Sequence, residues 1–211
     1  MIPTYKEWMD ALTARHGEEL QRRVSSAVVA VCGLGGLGSN IAVALARAGI
    51  GKLILVDFDR VDISNLHRQQ YRADQIGMYK TKALCENLKE IAPYMELESH
   101  TARITEENAA GFLQKAEIIC EAFDDAECKS MLTDVVLSKM PEKYLVAASG
   151  MAGLGSANTI RTRRITKHFY LCGDEVSDVN DAIGLVAPRV ALCAAHQAHT
   201  VLRILAKQFE V

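Results

Sequence analysis

Several features that mark specialised protein classes are missing from this 211-residue chain. Its six cysteines include no C-x-x-C pair, so neither a zinc site nor a disulfide framework is indicated. The longest apolar stretches, such as residues 41–46, fall well short of the ~20 residues that a membrane span needs. Lys6, Glu7 and Asp10 stand where a signal peptide would have its apolar segment. We therefore expect a cytoplasmic protein with no membrane contact and no zinc.

An excess of positive charge is absent as well. The 24 lysine and arginine residues are set against 26 aspartate and glutamate residues, which gives a formal net charge of −2 at pH 7. Nucleic acid is not an expected partner, because binding to its phosphates usually needs a basic excess. The content of 49% apolar and 24% charged residues is typical of a globular protein with a packed core.

What the chain does have is an alternation of short apolar runs with stretches of helical length. The run at 27–32 is continuous, rich in β-branched residues and followed by a glycine, which is typical of a parallel strand buried on both faces. Further strands are predicted at 52–56, 96–100, 117–121 and 144–148, with helices at 39–48, 80–91, 106–113 and 128–139. This pattern predicts an α/β fold with a doubly wound, mainly parallel, Rossmann-like sheet.

The two ends of the chain differ from this alternation. Residues 1–26 are predicted to be an N-terminal helical segment, of one helix or two short ones, before a domain at 27–211. Short strands near 158–165 and 169–172 indicate an antiparallel extension of the sheet, and a C-terminal helix is predicted at 188–205.

A glycine-rich loop follows the first predicted strand and opens the first helix of the domain. Gly33, Gly35 and Gly38 have the spacing G-x-G-x-x-G, which lets the backbone approach a phosphate while the helix N-terminus faces its charge. Asp57, at the end of the next strand, would accept hydrogen bonds from ribose hydroxyls. These features indicate a nucleotide site and suit an NAD-dependent oxidoreductase as well as an ATP-dependent enzyme.

The residues after the second strand favour a triphosphate. Asp59, Asn65, Arg68 and Gln69 lie within a dozen residues of Asp57, and Lys82 lies on the next helix. Nucleotidyl transfer spreads negative charge over the attacked and departing phosphates, so catalysis depends mainly on positioned cations and hydrogen-bond donors. Arg68, Asn65 and Lys82 are the candidates for that task.

Four sequence blocks in this chain resemble those of the ThiF/MoeB/ubiquitin-activating superfamily. They are Gly-Leu-Gly-Gly-Leu-Gly-Ser-Asn, Asp-x-Asp-x-Val-x-x-Ser-Asn-Leu-x-Arg-Gln, Lys-x-x-Ala, and Phe-Asp-Asp after a strand. The resemblance covers roughly 28–205, and its most specific part is Ser-Asn-Leu-x-Arg-Gln. Within the superfamily the chain is most similar to the short ThiF-like adenylyltransferases of sulfur carrier proteins in thiamine biosynthesis.

This resemblance implies ATP-dependent adenylation of the C-terminal Gly-Gly carboxylate of a small ubiquitin-like sulfur carrier protein, by a homodimer that uses Mg²⁺. The implied catalytic residues are Arg68, Lys82 and Asp124, with Asp124 also holding the metal ion. The implied ATP-binding residues are Gly33, Gly35, Gly38, Asp57, Asp59, Asn65, Arg68, Gln69 and Lys82.

Other parts of the chain depart from the family pattern or match it weakly. An N-terminal Arg-Tyr-x-Arg segment, which completes a neighbouring subunit's site in many relatives, is missing, and Arg15 is the nearest candidate. A second glycine cluster at 149–156 misses the nucleotide fingerprint and is interpreted as a turn that lines a channel for the Gly-Gly tail.

Cys172 is the only residue comparable to the loop cysteine that takes part in sulfur transfer in some members. The acidic residues that follow it are Asp174, Glu175, Asp178 and Asp181. Such carboxylates would raise the pKa of the thiol, which favours a strand-end cysteine beside a solvated acidic loop.

Two other functions stay open at this point. An NAD-dependent oxidoreductase would bind a nicotinamide dinucleotide and would not depend on Arg68. A non-catalytic nucleotide-binding relative would bind ATP or the carrier without turnover.

Overall fold

The computed structural model describes residues 2–180 and 183–211, and in them seven strands form one sheet. The strands are β1 (Val28–Cys32), β2 (Lys52–Val56), β3 (Glu96–His100), β4 (Ile118–Glu121), β5 (Tyr144–Ala148), β6 (Arg161–Arg164) and β7 (Phe169–Gly173). Their order across the sheet is β3-β2-β1-β4-β5-β7-β6. Neighbouring strands are parallel except β6 and β7, which are antiparallel. This arrangement confirms the predicted doubly wound sheet and its antiparallel extension.

Helices cover both faces of the sheet. They are α1 (Tyr5–His16), α2 (Glu18–Ser26), α3 (Gly36–Arg47), α4 (Lys80–Ile91), α5 (Ala109–Leu113), α6 (Ala126–Lys139) and α7 (Ala187–Leu205). The prediction placed the start of α3 at residue 39, but the helix begins three residues earlier, inside the glycine loop. The backbone amides at the helix N-terminus therefore lie directly beside the end of β1.

The sheet separates two apolar layers. Along β1, Val29 and Val31 pack into the layer that contains α3 and α7, whereas Ala30 and Cys32 pack into the layer that contains α5 and α6. Side chains of a strand alternate between the two faces, so a strand buried on both sides needs an unbroken apolar run. The N-terminal helices join the first of these layers through Val24. No helix among the described residues is both long enough and apolar enough to cross a membrane.

The topology determines where a ligand can bind. After β1 the chain builds the sheet outward through β2 to β3, and it then returns to place β4 on the other side of β1. The loops after β1 and β4 therefore leave in opposite directions and open a crevice at the carboxyl edge of the sheet.

Candidate nucleotide-binding site

A cleft of about 530 Å³ lies at this carboxyl edge. Loops that follow each of the strands β1 to β5 form its walls, together with the segment 177–179. The predicted site residues that line it are Gly33, Gly35, Asp57, Asp59, Arg68, Gln69 and Asp124. Gly38, Asn65, Lys82 and Arg15 do not line it.

The glycine loop is shaped by close backbone contacts. Gly33 has a φ of +88°, and a Cβ there would lie 2.8 Å from the Ala122 carbonyl oxygen. A Cβ on Gly38 would lie only 1.8 Å from the Gly33 carbonyl oxygen. These two glycines let α3 start directly behind β1, while the backbone of Gly35 and Gly36 lines the cleft. The first amides of a helix have no intrahelical acceptor, so this N-terminus is suited to bind an anion.

Asp57 connects the end of β2 to the glycine loop. Its Oδ2 accepts a hydrogen bond of 2.6 Å from the Leu34 amide, and its Oδ1 accepts one of 2.7 Å from the Asp59 amide. Burial raises the pKa of the Asp57 carboxyl, and the nearby charge of Lys80 and the two amide donors oppose that shift. Asp57 therefore orders the loop as well as lining the cleft.

Arg68 and Gln69 lie beside the glycine loop and carry polar atoms without partners. The Nη1 atom of Arg68 donates a 3.1 Å hydrogen bond to the Ser64 carbonyl. Within the described part of the chain, the buried Nε of Arg68 and the buried Oε1 of Gln69 have no hydrogen-bond partner. Buried polar groups are nearly always paired, so these two atoms fit a polar ligand in the cleft.

Lys80 lines the cleft, whereas the predicted residue, Lys82, does not. Lys82 is exposed on α4 and does not line the cleft, whereas the buried Lys80 does line it and pairs with Asp59 at 2.9 Å from Nζ to Oδ2. Two residues along an α-helix are about 200° apart, so these two lysines point in nearly opposite directions. Strand-and-helix patterning placed the helix correctly but did not identify its inward face at this point.

Asn65 stabilises the turn that precedes Arg68. Its Oδ1 accepts a 3.0 Å hydrogen bond from the Asp62 amide and so caps a short turn at Ile63–Asn65. Its carbonyl oxygen accepts from the Arg68 amide at 3.1 Å. Asn65 thus closes a hydrogen-bonded turn that precedes Arg68, and its contact with phosphate stays a prediction.

Asp124 is an exposed carboxylate on the wall formed by the loop after β4. The neighbouring Asp125 caps α6, since its Oδ1 accepts a 2.8 Å hydrogen bond from the Cys128 amide. Among the described residues no group of three or more histidine, cysteine or acidic side chains could hold a metal ion. Mg²⁺ in nucleotide sites commonly takes only one or two carboxylates from the protein and completes its coordination with phosphates and water. A single carboxylate, that of Asp124, is therefore sufficient for such a site.

A buried ion pair near Asp124 was not anticipated from the sequence. Glu121 ends β4 with 1% of its surface exposed, and Lys129 Nζ lies 3.0 and 3.1 Å from its two carboxylate oxygens. Burial raises the pKa of Glu121, and the Lys129 charge opposes this shift. Lys129 also donates to the Ala148 carbonyl at 3.1 Å and so joins the ends of β4 and β5. The sequence held one signal for this ion pair, which is an acidic residue at the end of an apolar strand.

Cys172 is buried in β7 and shows no sign of a reactive thiol. Burial raises its pKa to about 11, and hydrogen bonds with Thr162 and Thr200 oppose that shift. The expected strand-end position is confirmed, but Asp174 is not the solvated residue that was expected, because its side chain is largely covered and paired with Arg189. Asp181 lies outside the described residues.

Comparisons with known proteins agree with this geometry. A model of the ThiF family matches residues 9–211. The adenylyltransferase and sulfurtransferase UBA4 of Lodderomyces elongisporus is 27% identical over 191 residues, which cover 88% of this chain and 42% of that protein. The sulfur carrier protein adenylyltransferase of Thermus thermophilus is 34% identical over 122 residues, which cover 57% of this chain and 45% of that protein. The matched segments thus span less than half the length of each of these two relatives.

The fold has counterparts among solved structures. The E. coli tRNA N6-threonylcarbamoyladenosine dehydratase TcdA, crystallised in complex with ATP, superposes with a TM-score of 0.87. The match covers 99% of this chain and 98% of that one at 20% sequence identity. This similarity shows that the two chains share one fold.

Proposed function

The chain belongs to the ThiF family, and from that premise we propose that it is an adenylyltransferase. Its substrates would be ATP and a small ubiquitin-like sulfur carrier protein that ends in Gly-Gly. A carboxylate oxygen of the carrier attacks the α-phosphorus of ATP and forms a carrier–AMP anhydride. The bond from the α-phosphorus to the bridging oxygen breaks, and pyrophosphate leaves with the electron pair.

The observation that carries this proposal is the set of cationic side chains and amide donors around the glycine loop. The N-terminus of α3, Arg68 and Lys80 line the same cleft; Lys80 is paired with Asp59, and the Nε of Arg68 has no partner among the residues that the structure describes. A helix N-terminus adds a partial positive charge to those of the two side chains. This arrangement suits a triphosphate whose charge grows on the leaving pyrophosphate, and hydride transfer has no need of it.

The remaining residues have roles that follow from their positions. Asp57 and Asp59 would bind the ribose, and Gln69 would accept a ligand hydrogen bond at its unpaired Oε1. Asp124 would hold Mg²⁺ against the phosphates, which neutralises negative charge as it develops. Asn65 would act through the turn that it caps.

Carrier-dependent exchange of pyrophosphate into ATP tests the proposal directly. We expect exchange by the wild-type protein with a purified ThiS-like carrier, and a loss of about 10²-fold or more in Arg68→Ala, the scale of removing one preorganised charge contact. Lys89→Ala is the matched control, because Lys89 is an exposed residue of α4 outside the cleft. Wild-type turnover by Arg68→Ala would show that this arginine is misassigned.

The finer proposal is that the carrier belongs to thiamine thiazole biosynthesis. It is supported by the resemblance to short ThiF-like enzymes and by the lack of paired C-x-x-C motifs in this sequence. A panel of ThiS-like, molybdopterin-type and cysteine-pathway carriers should give the highest kcat/KM with the ThiS-like protein. A preference for another carrier would overturn the assignment to thiamine biosynthesis. Absence of exchange with every carrier, together with binding of a nicotinamide dinucleotide but not of ATP, would overturn the proposal that the protein is an adenylyltransferase.

A further inference from the structure

Arg189 lies in the first turn of α7 and uses all five of its N–H donors within the protein. Nε donates to the Ala152 carbonyl at 3.0 Å, and Nη1 donates to the carbonyls of Gly155 and Ser156, both at 2.8 Å. Nη2 donates to the Thr159 hydroxyl at 3.1 Å and to Asp174 Oδ2 at 2.5 Å. A lysine has three donors at one point and cannot reproduce this planar set.

The position of this arginine is electrostatically unfavourable without a partner. A positive side chain near a helix N-terminus is repelled by the helix dipole, and a buried charge needs compensation. Asp174 supplies it, and both side chains are almost completely buried. Burial by itself would raise the pKa of Asp174, but amide donors from Ser177 and Val176 and the Arg189 guanidinium lower it to about 2.

The Asp174 carboxylate also helps to join residues 173–177 to residues 149–159. Asp174 Oδ1 accepts hydrogen bonds from the Ser177 amide at 2.9 Å and the Ser177 hydroxyl at 3.0 Å. The Ser177 hydroxyl oxygen accepts in turn from the Ala152 amide at 3.0 Å. Arg189, Asp174, Ser177 and Ala152 thus form a closed ring of hydrogen bonds that links residues 149–159 to residues 173–177.

These two linked segments form the wall of the cleft that lies opposite Asp57. It is lined by Ser149, Gly150, Met151 and Ala152 and by residues 177–179. Gly150 has a φ of +79°, and a Cβ there would lie 2.1 Å from Asp174 Oδ1, so the backbone packs closely here. The wall is made of backbone and mostly small side chains, which suits an extended peptide tail that lacks side chains itself.

We propose that Arg189 is a positioning residue for the carrier: it fixes the wall along which the Gly-Gly tail reaches the α-phosphate. The inference rests on the proposed function and adds a role for a residue that contacts no substrate. The ATP-binding loops after β1 and β2 receive no hydrogen bond from this ring, so carrier and nucleotide binding should respond differently to its loss.

The test compares Arg189→Lys with Arg203→Lys, a control at an arginine of the same helix outside the cleft. We expect Arg189→Lys to raise KM for a purified ThiS-like carrier at least 10-fold while the Kd for ATP and kcat change less than about 3-fold. Ser177→Ala, which keeps the ion pair, should raise the same KM by a smaller factor. Hydrogen–deuterium exchange in Arg189→Lys should increase at 149–159 and 173–177 but not at 33–47.

The outcomes separate the two proposals. An active wild type with unchanged carrier KM in both Arg189→Lys and Ser177→Ala would overturn the positioning role alone. Equal losses of ATP and carrier binding would also overturn it, because they would indicate a general folding role. A wild type without exchange activity on any carrier would instead overturn the proposed function, and the positioning role with it.

Discussion

The two walls of the cleft are held in place in different ways. On the Asp57 side, the ordering contacts come from backbone groups of the glycine loop and from a carboxylate only 23 residues from the amide it binds. On the Ser149 side, they come from Arg189, which reaches back 37 residues to Ala152. Both walls contain glycines that a Cβ would not fit, but the first is joined by the nearby Asp57 carboxylate and the second by the long side chain of Arg189, so they should fail in different ways when mutated.

The largest expected effect tests the backbone packing of the first wall. In Gly38→Ala the new Cβ would meet the Gly33 carbonyl oxygen at 1.8 Å, and a backbone atom cannot move aside easily. We expect a loss of at least about 3 kcal/mol in the free energy of unfolding, together with loss of ATP binding. Urea denaturation and calorimetric titration with ATP measure the two effects.

Gly111→Ala is the control for that change. Gly111 lies inside α5, and a Cβ there would meet nothing within 4 Å. Alanine has the higher helix propensity, so this variant should be as stable as the wild type or more stable by up to about 1 kcal/mol. If both variants lose the same stability, close packing is not what requires Gly38.

A second comparison separates two lysines of the same helix. Lys80→Ala should lower pyrophosphate exchange about 10²-fold, because it removes a charge that lines the cleft. Lys82→Ala should change exchange by less than about 3-fold, because Lys82 is exposed outside the cleft. The reverse order would restore the assignment made from sequence and contradict the one made from the structure.

The smallest expected effect concerns pH and the second wall. The pKa of Asp174 is lowered from 3.8 to about 2, so its contribution to stability is fully present above pH 4 and is lost as the pH falls towards 2. The difference in unfolding free energy between wild type and Asp174→Asn should therefore shrink between pH 5 and pH 3. Asp134→Asn, at an exposed residue of α6, serves as the surface control. A difference that stays constant over this range would show that Asp174 titrates normally.

Local patterns were sufficient to predict the elements but not the inward face of each helix. The apolar run of β1 and the G-x-G-x-x-G spacing placed the strand, the loop and the start of the cleft, since each depends on neighbours in sequence. Lys82 was assigned although the Lys-x-x-Ala block begins at Lys80, and it is Lys80 that lines the cleft. The Glu121–Lys129 pair was missed because each residue, taken singly, is compatible with a solvated surface.

By itself, the sequence determined the Rossmann-like sheet, the glycine loop and most of the residues on the Asp57 wall. Strand burial, turns and close backbone approach are encoded by residue type over short distances, which is why they can be inferred from the chain alone. Only the tertiary structure decided that Asp174 pairs with Arg189 and that Arg189 connects the segments of the opposite wall. Those outcomes depend on which distant segments meet, and hydrogen bonds between residues far apart in the chain leave no periodic signal in the sequence.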